Sequence, residues 1–426
     1  MKSPFKKVSV VGLGYVGIPT AIAIANRGIP VIGVDINRRI VELINRGQVH
    51  IVEPGLDILV QSATKSGLLT ATTAPEPADA FIIAVPTPFS DGFKPDITFV
   101  EAAARSVAKV VAKGALVILE STSPVGTTEA LARWMAEERP DLTFPHQAGE
   151  NADIQVAYCP ERVMPGRALI ELVENDRVIG GITRRCAERA VDLYRVFVSG
   201  ECRLTTSRTA ELVKLVENSF RDVNIAFANE LSIICEKLDV DVWETIGLAN
   251  QHPRVNVLRP GPGVGGHCIP VDPWFIVDAA PEEARVIRSA RLVNDEMPHR
   301  VVSRILDAAK GFDKPRIACL GLAYKADLDD LRMSPAVEIV AELARRSTGQ
   351  IVAVEPFVEE LPRSLADLRN VTFATLDQAL ESADVVALLV DHRAFRELDI
   401  KRLAGRKVVD TLGIWRAATL PRAPSA

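Results

Sequence analysis

The chain's most reactive residue type in its most permissive setting is Cys268, in the run Arg259-Pro260-Gly261-Pro262-Gly263-Val264-Gly265-Gly266-His267-Cys268-Ile269-Pro270-Val271-Asp272-Pro273. Four glycines and two prolines between Pro260 and Gly266 exclude regular structure and let backbone pass close to a ligand. A thiol there is a candidate nucleophile, since only an accessible thiolate attacks carbon well; a buried structural cysteine ending a turn is the other reading. A second group is Lys214, Asn218 and Arg221, at spacings of four and three, which places all three on one face of a helix. That face is either simply solvated or built for an anionic or carbonyl ligand. A third is Cys159-Pro160-Glu161-Arg162-Val163, where a carboxylate and a guanidinium stand side by side after an apolar stretch.

The elements that must position these groups are legible from the N-terminus. Lys7–Val11 reads as a strand, Gly12-Leu13-Gly14-Tyr15-Val16-Gly17 as a turn, Ile18–Arg27 as a helix stopped at Gly28, and Pro30–Val34 as a strand closing on Asp35. Strand, GxGxxG, helix, strand and an acidic residue about twenty positions on make the dinucleotide fingerprint in full context. Gly12 makes the turn, Gly14 admits the pyrophosphate to the helix N-terminus and Gly17 permits helix–strand packing. Asp35 would hold the ribose hydroxyls and repel a 2′-phosphate, favouring NAD over NADP. Alternation continues through the strands Phe81–Val85 and Leu116–Leu119. The loops that follow them place Thr87 and Thr122 in the cofactor cleft; Thr127 and Thr128 equally suit helix caps.

From about Ser207 the pattern becomes one long helix of nearly thirty residues. Leu212, Val216, Phe220, Val223, Phe227, Leu231 and Ile234 form an apolar stripe able to join domains or meet a second subunit. A further helical pattern lies near Arg285 to Asp295. Past Gly311–Pro315, strands at Arg316–Leu320, Ile351–Val354, Val385–Val390 and Lys407–Val409 predict a second, smaller α/β sheet. Its rim loop carries Gly321, Lys325 and Arg332 and suits phosphate. The expected fold is α/β: two Rossmann-like doubly wound parallel sheets joined by a long central helix and a helical middle domain. The expected segments are 1–205, 206–308 and 309–426.

Composition bounds the function. A length of 426 residues implies two or three domains, and 48% apolar with 25% charged residues is that of a soluble globular protein. A net charge of −5 gives no electrostatic reason for nucleic acid or anionic membrane as a partner. No apolar run suits a signal peptide or membrane span, and six scattered cysteines without Cys-x-x-Cys or a His-Glu-x-x-His cluster argue against disulfides and metal. A cytoplasmic, metal-free protein is expected.

Two nucleotide-type sheets imply two nucleotide-bearing ligands, NAD and a nucleotide-activated substrate. A cysteine between them is superfluous for a one-step alcohol oxidation. It becomes necessary if an aldehyde is held and oxidised again, because a thiohemiacetal gives up hydride and the resulting thioester hydrolyses. The residues thus point to four-electron oxidation of a primary alcohol to a carboxylate.

Over nearly its whole length the chain resembles the UDP-glucose/GDP-mannose dehydrogenase family. The resemblance rests on Gly12–Gly17, Glu120-Ser121-Thr122-Ser123-Pro124-Val125-Gly126-Thr127-Thr128, Cys159–Arg162, Glu217-Asn218-Ser219-Phe220-Arg221-Asp222-Val223-Asn224, His252-Pro253-Arg254-Val255-Asn256, Gly261–Cys268 and Asp330-Leu331-Arg332-Met333-Ser334-Pro335. The run from His252 to Phe275 is most similar to the branch that oxidises UDP-N-acetyl-D-mannosamine to its uronate for surface polysaccharide; UDP-N-acetylglucosamine or another UDP-hexose is the alternative. The resemblance implies Cys268 as nucleophile toward the C6 aldehyde, Lys214 and Asn218 as oxyanion donors, and Asp272 and Glu161 in proton transfer and water attack. It places Arg162, Val163, Arg221, His252, Gly263, Tyr324 and Lys325 on the UDP-sugar. Gly12, Gly14, Tyr15, Val16, Gly17, Asp35, Thr87, Thr122 and Arg332 fall on NAD. Arg254 would reach a neighbouring subunit's substrate, making a homodimer or higher homo-oligomer. Two positions depart from the family: Val271 stands where glucose-type members have lysine, which counts against UDP-glucose, and Ile40 stands where a basic cofactor contact is frequent.

Overall fold

The computed structural model describes residues 4–51, 53–90, 93–164 and 166–415. The chain forms two compact units, Met1–Glu217 and Asn218–Ala426.

In the first unit the strands are β1 (Val8–Val11), β2 (Val31–Val34), β3 (Leu69–Thr72) and β4 (Ala80–Ile83). A small hairpin, β5 (Phe89–Ser90) and β6 (Lys94–Pro95), precedes β7 (Leu116–Leu119), β8 (Gln155–Tyr158), β9 (Arg177–Gly181) and β10 (Cys202–Thr206). The main sheet runs β10-β9-β8-β7-β4-β1-β2-β3. Strands β1, β4, β7 and β8 are fully buried, as apolar strands covered on both faces must be. Apolar clusters lie on both sides of the sheet, one built on Ile18, Ile22 and Leu193, the other on Val100, Val107 and Leu131. The order reverses at β1, flanked by β2 and β4, which makes the carboxyl ends there the ligand crevice of a doubly wound sheet. The sheet is parallel as expected except for one pair: β8 and β9 are antiparallel, with Ala157 opposite Gly181 and Tyr158 opposite Gly180. Continuing that register three residues past Tyr158 brings Glu161 opposite Arg177. A parallel β9 would have sent Arg177 to the far edge of the sheet.

The second unit holds β11 (Arg316–Leu320), β12 (Gln350–Val354), β13 (Val371–Phe373), β14 (Val385–Leu388) and β15 (Lys407–Asp410), all parallel, in the order β13-β12-β11-β14-β15. It too has a switch point, at β11. Helices Val242–Ala249, Asp272–Ala279 and Arg285–Ala308 precede it. The last of these runs further than the sequence pattern, straight through Pro298. Proline costs a helix one hydrogen bond, but Val301, Val302 and Ile305 beyond it are buried in the second unit's core, and that burial carries the helix on.

The long helix Ser207–Leu238 is continuous over 32 residues, and the unit boundary falls within it. Its buried positions include Glu211, Leu215, Ser219, Asp222, Ala226 and Asn229, whereas Leu212, Val216, Phe220, Phe227 and Ile234 of the apolar stripe are exposed, Phe220 at 70% and Phe227 at 56%. The stripe therefore faces away from the chain's own cores.

Candidate active site

The first unit presents a dinucleotide cradle in which the three glycines are distinguished by their surroundings. Gly12 has a φ of +96°, and a Cβ there would lie 2.4 Å from the Ala84 carbonyl oxygen. At Gly17 a Cβ would fall 1.8 Å from the Gly12 oxygen, so helix and turn touch only because neither carries a side chain. Gly14 has nothing within 4 Å: the space is open where a pyrophosphate would meet the amide groups of the helix Gly17–Ala25. Tyr15 and Val16 line the same turn, half-buried. Asp35 directly follows β2 and is oriented by two amides, Leu13 N–H at 3.0 Å and Asn37 N–H at 2.8 Å, leaving carboxylate lone pairs for ribose hydroxyls. The Thr87 hydroxyl donates to the Thr122 carbonyl at 2.6 Å, tying together the loops that leave β4 and β7. These residues fit a dinucleotide such as NAD.

Thr127 and Thr128 open the helix Thr127–Glu138, but they do not cap it: the N-cap is Gly126, without a side-chain cap. The acceptor at that N-terminus, however, is Glu211 of the long helix. Its buried carboxylate takes Gly126 N–H, Thr128 N–H and the Thr128 hydroxyl at 2.6–2.7 Å. Nothing in the local pattern announces it.

Glu161 emerges from β8 in a buried cluster. Its Oε1 accepts Arg162 N–H at 2.5 Å and its Oε2 accepts Arg177 Nη1 at 3.0 Å, with Arg177 only 1% exposed. Arg162 is not free beside it: its guanidinium forks onto Glu217, Nε at 3.1 Å and Nη2 at 2.7 Å. A substrate phosphate or hydroxyl at Arg162 would share or displace that carboxylate. Val163 follows, half-buried, and Lys214 lies half-buried one turn before Asn218 on the long helix.

In the second unit the Asn218 amide donates to Asp272 Oδ2 at 2.5 Å, and Asp272 N–H returns to the Cys268 carbonyl at 2.9 Å. Three residues singled out in the sequence, from two distant stretches, thus form one connected set. Asp272 is buried at the first turn of its helix; Cys268 is half-buried. The glycine loop owes its composition to neighbours within this unit. A Cβ on Gly265 would sit 2.6 Å from Pro335 and 2.8 Å from the Tyr324 Cβ, one on Gly266 3.0 Å from the Tyr324 ring, and one on Gly263 3.0 Å from Pro335 and 3.1 Å from Pro298. The loop before Cys268 is therefore pressed against Tyr324, and Lys325 beside it is exposed. Arg332 is bidentate with Asp330 (2.9 and 2.7 Å) and exposed. Arg221, His252 and Arg254 are exposed as well, the last two on the loop after the helix Val242–Ala249.

The start of the glycine loop is held by a buried polar chain that sequence reading missed. Asn229 Oδ1 accepts Gly261 N–H at 2.9 Å, its amide donates to Asn294 Oδ1 at 2.9 Å, and Asn294 donates to Asp222 Oδ1 at 2.8 Å. Arg291 Nη1 reaches the same Asp222 oxygen at 2.5 Å. Burial pushes the Asp222 carboxyl upward, and the Arg291 charge opposes it. Spacings of seven along one helix and three along another carry no chemical signature, so only folding reveals the set.

Among the described residues no cluster could hold a metal ion, and no helix is long and apolar enough to cross a membrane.

Comparison with known proteins aligns with this geometry. Residues 6–198 match the NAD binding domain of the UDP-glucose/GDP-mannose dehydrogenase family, residues 208–296 its central domain and residues 318–417 its UDP binding domain. The chain is 61% identical over 395 residues to the UDP-N-acetyl-D-mannosamine dehydrogenase of Campylobacter jejuni, covering 92% of this chain and 97% of that one. It is 60% identical over 413 residues to the NDP-N-acetyl-D-galactosaminuronic acid dehydrogenase of Ralstonia nicotianae, covering 97% of each. Among solved structures it is similar to the UDP-D-ManNAc dehydrogenase of Pyrococcus horikoshii, with a TM-score of 0.86, 39% identity and 96% of each chain covered.

Proposed function

Because the chain belongs to the UDP-glucose/GDP-mannose dehydrogenase family of NAD-dependent oxidoreductases, we propose that its substrate is UDP-N-acetyl-D-mannosamine, oxidised at C6 to the uronate. The observation that carries this reading is the connected set Asn218–Asp272–Cys268 on a glycine loop pressed against Tyr324. NAD, when bound, accepts hydride. The chain's own residues do the rest. Cys268 as thiolate adds to the C6 aldehyde and holds it as a thiohemiacetal. Loss of hydride leaves a thioester, and water then forms the C–O bond as the C–S bond breaks and the thiolate departs. Lys214 and Asn218 donate to the C6 oxygen as it gains charge. Asp272 and Glu161 take up and return protons, Glu161 from the attacking water. One alcohol, two NAD and one water give one carboxylate, two NADH and three protons.

Arg162, Val163, Arg221, His252, Gly263, Tyr324 and Lys325 hold the UDP-sugar, and Arg332 joins Gly12–Gly17, Asp35, Thr87 and Thr122 on NAD. In this reading 1–205 serves NAD, 206–308 supplies the cysteine loop and the subunit contact, and 309–426 serves UDP. The exposed stripe of the long helix is covered by a second copy of the chain, and Arg254, on its exposed loop, serves that copy's substrate. The enzyme works in the cytoplasm, supplying a uronate for surface polysaccharide.

Val271, apolar where glucose-type members have lysine, disfavours UDP-glucose. The resemblance at 60% identity to a relative named for N-acetylgalactosaminuronic acid supports UDP-N-acetyl-D-galactosamine as the second reading. A panel of UDP-sugars with NAD, read by NADH absorbance and product mass, decides between them. Two NADH per UDP-N-acetyl-D-mannosamine is the expected result. One NADH per sugar would sink the four-electron reading and leave a one-step dehydrogenase, and binding without NADH would leave a nucleotide-sugar sensor. In Cys268→Ser, substrate should bind while turnover stops, since an alkoxide leaves far less readily than a thiolate.

A further inference from the structure

Arg177 has no part in the fingerprint or in the family runs quoted above, yet it is one of the two largest fully buried side chains of the described residues that carry a charge, Arg291 being the other. The antiparallel β9 delivers it beneath the Cys159–Val163 loop. There Nη1 donates to Glu161 Oε2 at 3.0 Å and Nη2 to the Leu172 carbonyl at 3.1 Å. The guanidinium carbon lies 5.7 Å from the ring centroid of Tyr194, whose hydroxyl donates to Glu120 Oε1 at 2.6 Å. Thr20 reaches the other Glu120 oxygen at 3.4 Å. A buried ion pair is a poor way to stabilise a fold, because desolvating both ions offsets most of their attraction. It is a good way to fix where a carboxylate points, and a general base must be aimed before its basicity matters. Glu161 is gripped at both oxygens, Oε1 by Arg162 N–H and Oε2 by Arg177.

We propose that Arg177 is the positioning residue of the candidate base Glu161, held in place by Tyr194 and Glu120 behind it. The proposal rests on the reading of Glu161 as the group that takes the proton of the attacking water. The charged and titratable groups around the pair include Glu120 after β7, Cys159 and Arg162 on the loop after β8, Glu217 beyond Arg162, Cys202 opposite Arg177 on β10, and Tyr194 on the helix Arg184–Tyr194. Burial works against the Arg177 charge, and the neighbouring acidic groups, Glu161 foremost, more than restore it, so the guanidinium stays ionised. Burial pushes Glu120 up to about 7, with the Glu161 charge adding to the effect. Glu120 is thus only partly ionised near neutral pH, and the hydrogen bonds of Arg177 go to Glu161 and the Leu172 carbonyl rather than to Glu120.

A base that has lost its aim slows thioester hydrolysis and spares both hydride transfers. The test uses the full chain with NAD and the UDP-sugar turned over in the panel above, in rapid-quench experiments on Arg177→Lys, Arg177→Met and Glu161→Gln. For Arg177→Met, kcat should fall about a hundredfold, the usual contribution of a positioned base, with KM nearly unchanged. A burst of NADH should remain, and an acyl adduct on Cys268 should accumulate in the intact-protein mass. Arg177→Lys, which keeps the charge and loses the fork, should recover part of kcat and shorten the adduct's lifetime. If Glu161→Gln accumulates the adduct and the Arg177 variants do not, Arg177 is structural and the proposal is overturned. If Glu161→Gln shows no adduct, the reading of Glu161 itself has failed. Should Arg177→Met not fold, the double variant Glu161→Gln/Arg177→Met, which removes both charges, replaces it. A double variant no slower than Glu161→Gln supports the pair acting as a unit, and one markedly slower than Glu161→Gln overturns it.

Discussion

At the scale of single residues, the first unit keeps a carboxyl where water cannot reach it. Glu120 is buried and tied to Tyr194, and burial raises it from 4.5 to about 7. The folded state thus binds this proton more tightly than the unfolded chain does. Its contribution to stability is whole below pH 4.5 and is lost progressively as pH climbs to about 7, beyond which the loss is constant. Glu120→Gln keeps an oxygen to accept from Tyr194 and cannot ionise. The variant should flatten the decline of melting temperature between pH 5 and 7.5 by the share due to this group, and an unchanged slope would place the decline elsewhere. The same paired environments explain why some candidate ligand residues are already engaged. Arg162 is spoken for by Glu217 and Arg332 by Asp330, so a bound anion would compete with a carboxylate at either place.

At the scale of elements, the turn between β1 and the helix Gly17–Ala25 separates packing from binding. Gly14→Ala adds a methyl group into open space, so the fold should melt as the parent does while the KM for NAD rises. Gly17→Ala drives a methyl group into the Gly12 carbonyl and should cost about 3 kcal/mol as the helix is displaced, seen as a lower melting temperature without ligand. Equal stability of the two variants would contradict these separate roles. The glycine loop makes the same point by other means, for its glycines are required by Pro335, Pro298 and Tyr324 as much as by any ligand.

At the scale of the whole molecule, the long helix turns its polar and small residues inward and its phenylalanines out. A helix of 32 residues is about 48 Å long, and a continuous apolar stripe along it is self-complementary about a twofold axis. Phe220→Asp with Phe227→Asp should convert a dimer to monomer in sedimentation velocity and lower turnover if Arg254 serves the neighbouring site. A parent protein that sediments as a monomer at micromolar concentration would remove the second copy from the proposal.

Local pattern determined much of this protein: the fingerprint from β1 to Asp35, the inner strands of both sheets, the long helix and the candidates Cys268 and Asn218 were readable, because periodicity, glycine spacing and nucleotide-loop chemistry act over a few residues, whereas the roles of Asp272 and Glu161 came from the family resemblance. What only tertiary structure decided are partnerships between distant stretches. The antiparallel turn of β9 sets Arg177 against Glu161, Glu211 caps a helix that begins 84 residues earlier, and Asn229 holds Gly261 through its backbone amide. Each satisfies a buried polar group, and which groups become buried together is settled by strand order and helix packing, which leave no mark in local spacing.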